Sequence, residues 1–198
     1  RNSFPDGRMA TMPWNSSTTV LWYNKDAFRK AGLDPSNPPR TWAEVRETAA
    51  KIKAAGAAEI PLSCAWFTWT QFEQFGAIHN IPFATKANGF EGLDAVLTLD
   101  PLYVRHLQNH IEMAKEGLFV YGGRDSAGDP LFTSGQAAML IASSALLARV
   151  KREAQLPYYD GVVEKPYNSI IGGAALWVLK RPGQPSRSIR VWLNSSAS

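Results

Sequence analysis

Short apolar runs alternate along this chain with stretches whose apolar residues recur every three or four positions. That alternation predicts an α/β fold, a central sheet flanked by helices. Strands are predicted over 19–23, 59–63, 137–142 and 174–179. Helices are predicted over 26–31, 42–55, 69–79, 101–116, 130–134, 144–152 and 188–193. The helix over 26–31 should stop at Gly32, a glycine in the C′ position. Pro35, Pro38 and Pro39 then bar helix until Thr41-Trp42-Ala43-Glu44, which has the hydroxyl and carboxylate of a capping box. The helix over 101–116 is marked by Asp100 as N-cap, Pro101 at N1 and Gly117 just past its end. Its Leu102, Val104, Leu107, Ile111, Met113 and Ala114 are expected to face the sheet. Residues 84–92 and 160–169 read as loops.

Composition narrows the class without choosing a function. A chain of 198 residues, 45% hydrophobic and 19% charged, can bury a core and is not disordered. Its net charge of +4 is spread thinly. Lys51 with Lys53, and Arg149 with Lys151 and Arg152, sit on predicted helices as solvated faces, not as a contiguous stripe for nucleic acid. A mild positive balance suits an anionic ligand. Cys64 is the single cysteine, so no intrachain disulfide forms. It is expected to be a small buried residue. No run of about eighteen apolar residues is present, and residues 1–7 are polar and include Pro5, unlike a signal peptide.

Candidate chemistry lies at loop–strand junctions. Ser143-Ser144 ends an apolar strand and opens a predicted helix, where hydroxyls and free N–H groups suit an anion; from spacing alone a capping role is favoured. Ser17 lies in the Asn15-Ser16-Ser17-Thr18 loop, whose hydroxyls fit a polyol or phosphate oxygen, although from the residues alone a turn or cap role is favoured. Trp66 and Trp69 follow a strand and are expected to point to one side of an opening helix. Gly172 and Gly173 open the last predicted strand and permit close backbone approach. His106 and His110 are spaced i, i+4, yet no third metal ligand follows at motif spacing, so they read as a solvated helix face. There is no G-x-S-x-G, Walker A or G-x-G-x-x-G sequence, no catalytic constellation and no cofactor motif.

The order strand, Tyr23-Asn24-Lys25-Asp26-Ala27-Phe28, Gly32-Leu33-Asp34-Pro35, then Pro39-Arg40-Thr41-Trp42 resembles the extracytoplasmic solute-binding proteins of ABC importers. Phe132-Thr133-Ser134-Gly135-Gln136-Ala137-Ala138-Met139 is similar to that family's F-x-x-G-x-A-A-M entry to a strand, and Trp66 and Trp69 to a W-x-x-W in its glycerol-3-phosphate receptors. The resemblance implies a periplasmic-binding-protein-like lobe. Residues 1–180 would be the second lobe with hinge strands, and 181–198 a tail unlike the family, a truncated or frameshifted helix. It implies a monomeric periplasmic receptor that is not an enzyme, needs no cofactor and binds no nucleic acid. Its partners would be sn-glycerol 3-phosphate and the ABC permease subunits. A glycerophosphodiester or another sugar is the alternative ligand, and an enzyme acting on a small phosphorylated metabolite the distant alternative. By the same resemblance Ser17 makes polar contacts and Trp66 and Trp69 pack on the glycerol. Ser143 and Ser144 take the phosphate, and Gly172 and Gly173 offer backbone donors. The family's remaining contacts, a tyrosine, a carboxylate and an arginine, fall outside this chain, so weak or undetectable binding is expected from it alone.

Overall fold

The computed structural model describes residues 8, 11–13, 16–148, 153–154, 161–163 and 175–176. The chain divides into two units, residues 1–16 with 172–198, and residues 17–171. In the first unit, β1 (Met12–Pro13) pairs antiparallel with β7 (Ala175–Leu176). The predicted helix over 188–193, the tail 181–198, Gly172 and Gly173 lie outside the described residues, as does most of the predicted strand over 174–179.

The second unit is built on a five-stranded mixed sheet in the order β4-β3-β5-β2-β6. At its centre β3 (Ile60–Cys64) runs parallel to β4 (Phe119–Tyr121) and to β5 (Ala137–Ser143). The strand β2 (Thr19–Tyr23) lies antiparallel to β5 and to β6 (Glu153–Ala154). Strands buried on both faces should read as continuous apolar runs: β5 does from Ala137 to Ala142, and β3, buried throughout, is interrupted by Ser63, whose hydroxyl donates to the Val120 carbonyl. Pro61 is tolerated in so central a strand because β4 begins pairing only at Leu62, beyond the place where proline's missing N–H would matter.

The period of two sorts the side chains into two cores. Leu21, Tyr23, Met139 and Ile141 face one side. There they pack with Phe28 of α1 (Lys25–Lys30), Val45, Ala49 and Ile52 of α2 (Trp42–Ala54), Phe75 and Ile78 of α3 (Gln74–His79), and α5 (Pro101–Lys115). Trp22, Leu140 and Ala142 face the other side, with Phe132 of α6 (Asp129–Thr133) and Leu146. Between α3 and α5 comes α4 (Thr85–Asn88), a single turn with left-handed Lys86 and Ala87 inside the segment expected to be loop. No described helix is long and apolar enough to cross a membrane.

Local signals placed the element starts well. The Thr41 hydroxyl accepts from the Glu44 N–H, while the Glu44 carboxylate accepts from the Thr41 N–H at 3.1 Å. Asn24 caps α1 by accepting from the N–H groups of Asp26 and Ala27, and Gly32 follows it at φ +70°. Asp100 caps α5 through the Leu102 N–H.

Three expectations need correction. The helix over 69–79 opens as a π-helical turn, Thr68–Glu73, before α3 begins; Thr70, Gln71 and Gln74 are buried there, polar positions that hydrophobic periodicity does not flag. Within the helix predicted over 144–152, residues 144–148 form a 3-10 turn, residues 149–152 lie outside the described residues, and Glu153–Ala154 pair in the sheet as β6. The buried stripe of α5 is Tyr103, His106, His110 and Met113, at i, i+3, i+7 and i+10, whereas Val104 and Ile111 are exposed. The sheet-facing stripe is therefore aromatic and imidazole in character rather than aliphatic. His106 and His110 are not solvated: each is at most 4% exposed.

Candidate functional site at the carboxyl edge of the sheet

In open α/β sheets, ligands gather outside the carboxyl ends of the parallel strands. Here that edge is where β4, β3 and β5 end, and where the antiparallel β2 begins. Cys64 is in register with Ile141 and Tyr121, and Thr19 with Ser143. Trp66 and Ser143 therefore each lie two residues beyond the paired Cys64 and Ile141. The fold brings Ser17, Trp66, Ser143 and Ser144 to one edge of one unit.

The serines are tied down by backbone. Ser144 N–H donates to the Thr18 carbonyl at 2.7 Å, and Thr18 N–H donates to Ser144 Oγ at 3.1 Å. This reciprocal pair extends the β2–β5 ladder past its last register pair and fixes Ser17, half-buried, beside the serine turn. Ser143 Oγ accepts from the Ala145 N–H at 3.1 Å, and Trp22 Nε1 donates to the Ser143 carbonyl at 3.2 Å. The Ser143 hydroxyl thus serves as a local cap and the Ser144 hydroxyl as a cross-strand acceptor, and each retains an O–H to donate. Where a long helix was expected behind them, residues 144–148 form a 3-10 turn.

The two tryptophans part company. Trp66 precedes the π-helical turn in a left-handed backbone conformation, φ +53°, and is 40% exposed. For a bulky side chain that conformation costs on the order of 1–2 kcal/mol. Its N–H donates to the Asp125 carbonyl at 2.6 Å, and its own carbonyl accepts from the Thr70 N–H. Trp69 lies inside the turn, half-buried, with Nε1 buried and without a hydrogen-bond partner among the described residues. They do not share one helical face, since Trp66 is not on the helix. Sequence reasoning missed two neighbours of this edge. One is the Gly122–Gly128 loop behind Trp66, which Gly-Gly and a further glycine six residues on could have signalled. The other is Thr19, whose buried hydroxyl finds no partner among the described residues.

The titratable groups near the edge are quiet. Burial pushes the Cys64 thiol up to about 12, so it stays protonated and is no nucleophile. His79, His106 and His110 form an aromatic cluster behind β3. His106 stacks on Phe75 with ring centroids 4.0 Å apart, and lies 4.7 Å from Trp42 and 4.5 Å from His110. Burial holds all three imidazoles below their usual range, His106 most. No group of three or more His, Cys, Asp or Glu among the described residues is placed to hold a metal ion. A surface recess of about 440 Å³ lies elsewhere, lined by Pro38, Pro39, Arg40, Glu44 and Lys51 among others, and includes none of the predicted site residues.

A sheet with its polar and aromatic loops collected at the carboxyl edge is the arrangement in which open α/β folds hold small ligands. The chain belongs to the bacterial extracellular solute-binding protein family, whose model matches residues 1–180. It is 50% identical over 183 residues to the sn-glycerol-3-phosphate-binding periplasmic protein UgpB of Brucella abortus (strain 2308), covering 89% of this chain and 42% of that one. It is 44% identical over 182 residues to UgpB of Escherichia coli (strain K12), covering 88% and 41%. The chain thus spans less than half the length of these relatives. Among solved structures it resembles an ABC transporter solute-binding protein from Thermotoga lettingae TMO bound with α-D-tagatose, with a TM-score of 0.69, 20% identity, and coverage of 98% of this chain and 53% of that one. It also resembles maltose-bound MalE3 of T. maritima, with a TM-score of 0.71, 20% identity, and coverage of 90% and 47%. At such identities these structures speak to fold alone. Family membership and the periplasmic relatives imply an extracytoplasmic location for proteins of this kind.

Proposed function

We propose that this chain is a receptor lobe, residues 1–180 with hinge strands, that takes part in binding sn-glycerol 3-phosphate in the periplasm for delivery to an ABC permease. The observation that carries the proposal is the convergence of Ser17, Trp66, Ser143 and Ser144 on one sheet edge, each anchored through backbone hydrogen bonds or strand register. The similarity to the glycerol-3-phosphate-binding relatives supports the choice of ligand. Ser143 and Ser144 donate their hydroxyls to the phosphate, and Ser17 bonds a phosphate or glycerol oxygen. The exposed Trp66 indole covers the apolar side of the glycerol backbone. Trp69 is assigned packing on the glycerol, and Gly172 and Gly173 are assigned backbone contacts. The receptor works as a monomer and without catalysis.

Amide NMR of the chain titrated with sn-glycerol 3-phosphate tests this. Shifts confined to Ser17, the Trp66 and Trp69 indoles and the Ser143 turn, and abolished by Trp66→Ala, are expected. Shifts confined to other parts of the sheet, or none at millimolar ligand, would overturn binding at this edge by this chain. Affinity should be weak. Each missing charged hydrogen-bond partner removes about 1.5–3 kcal/mol, and the tyrosine, carboxylate and arginine expected by resemblance are not in this chain. A dissociation constant in the micromolar range or tighter would contradict that expectation.

A further inference from the structure

Trp66 stands at the edge in a conformation its residue type disfavours, and the loop after β4 supplies what holds it there. Asp125, whose carbonyl accepts the Trp66 N–H at 2.6 Å, is itself left-handed at φ +51°. Two glycines let this loop approach. A Cβ at Gly128 would lie 2.3 Å from the Cys64 carbonyl oxygen and 2.9 Å from its carbonyl carbon. A Cβ at Gly122 would lie 2.5 Å from Gly128 Cα and 3.0 Å from the same Cys64 oxygen. The obstructing atoms are backbone at the end of the central strand, so they cannot swing aside as a flexible side chain would. A side chain at either position must push the loop off β3, and the Asp125 carbonyl moves with it.

We infer that Gly122, Asp125 and Gly128 form a backbone clamp that positions the Trp66 indole, so the ligand-facing surface is set in part by a loop that need not touch ligand. The inference rests on the reading of Trp66 as a ligand contact. These three are positioning residues: they act through the hydrogen bond to the Trp66 N–H and through contact with Cys64.

The test is fluorine NMR of the whole chain labelled with 5-fluorotryptophan. The Trp66 signal is assigned by Trp66→Phe, and the buried Trp22 and Trp42 signals report whether the fold is intact. Asp125 is exposed, so its substitution should spare the core. Asp125→Val places a β-branched residue at positive φ and disfavours the clamp, whereas Asp125→Asn tolerates that conformation. The expected result is a shifted or broadened Trp66 signal in Asp125→Val with Trp22 and Trp42 unmoved, and a parent-like spectrum in Asp125→Asn. Gly128→Ala should move Trp66 in the same way. If it prevents folding, the Asp125 pair decides. A Trp66 signal unmoved in Asp125→Val, with the fold reporters in place, overturns the clamp. Titration with sn-glycerol 3-phosphate separates the two ideas. Where both hold, Asp125→Val weakens the response at least about tenfold. If Asp125→Val moves Trp66 but ligand does not move it in the parent, the clamp stands and the ligand reading falls. If ligand moves Trp66 and Asp125→Val does not, the reverse is true.

Discussion

Cys64 illustrates how burial, more than residue type, decides chemistry at single positions. Its side chain is fully buried at the end of β3, and the charged thiolate is disfavoured there. At pH 8 the folded chain should not react with a thiol-specific reagent over minutes, whereas the chain in denaturant should react fully. Fast reaction of the folded chain, followed by absorbance, would contradict the burial. The histidines carry the opposite lesson about spacing. An i, i+4 pair on a helix of mixed polarity reads as a solvent face, because sequence does not show which neighbours cover it. Here Phe75, Trp42 and Phe119 do, and Gln71 accepts the His106 Nε2 hydrogen at 3.1 Å. Trp66 was legible as a candidate from its residue type and its place after a strand. Its left-handed backbone was not, since that depends on a carbonyl 59 residues along the chain.

At the scale of elements, the best-read features are those whose determinants lie within a few residues. The capping box of α2 is one, and its energetic weight can be checked. Thr41→Ala removes the acceptor for the Glu44 N–H in a buried position and should cost about 1 kcal/mol in urea denaturation. Thr41→Ser should recover most of it; equal stability of Ala and Ser would mean the cap contributes nothing. Gly32 likewise ends α1 at a positive φ with open space around its Cβ position. Gly32→Ala should therefore destabilise by about 1 kcal/mol through backbone conformation and not through a clash. Elements set by distant pairing were misread. The three-residue β4 and two-residue β6 are too short to show a period, and exist because β3 and β2 offer them unpaired edges. The segment predicted as helix after Ser144 opens as a 3-10 turn, and Glu153–Ala154 pair with β2.

Taken as a whole, the main unit buries three histidines, His79, His106 and His110, in one core, and this gives its stability a pH dependence of definite sign. Their folded-state pKa values are depressed, chiefly by burial. The unfolded chain binds protons on these groups below about pH 6.5, and the folded chain binds them only at lower pH. Stability is therefore fully present above that pH and is lost as pH falls through it and below. Each histidine that stays neutral contributes up to about 1.4 kcal/mol of loss per pH unit in that range. Urea midpoints should fall steadily between pH 7 and pH 5, with the slope reduced in His106→Gln if that variant folds. A midpoint constant across that window would show that the histidines reach water.

The sequence by itself determined the α/β class, the stop of α1, the cap of α2, the cap and stop of α5, the strands β2, β3 and β5 to within a residue, and the family. All of these rest on local chemistry, on apolar period or on motifs contiguous in the chain. Tertiary structure alone decided that Ser17, Trp66 and Ser143 share an edge, that the histidines are core, and that the Gly122–Gly128 loop holds Trp66. Each depends on strand order and on contacts between residues far apart in sequence, and no local pattern records which distant backbone will supply the partner.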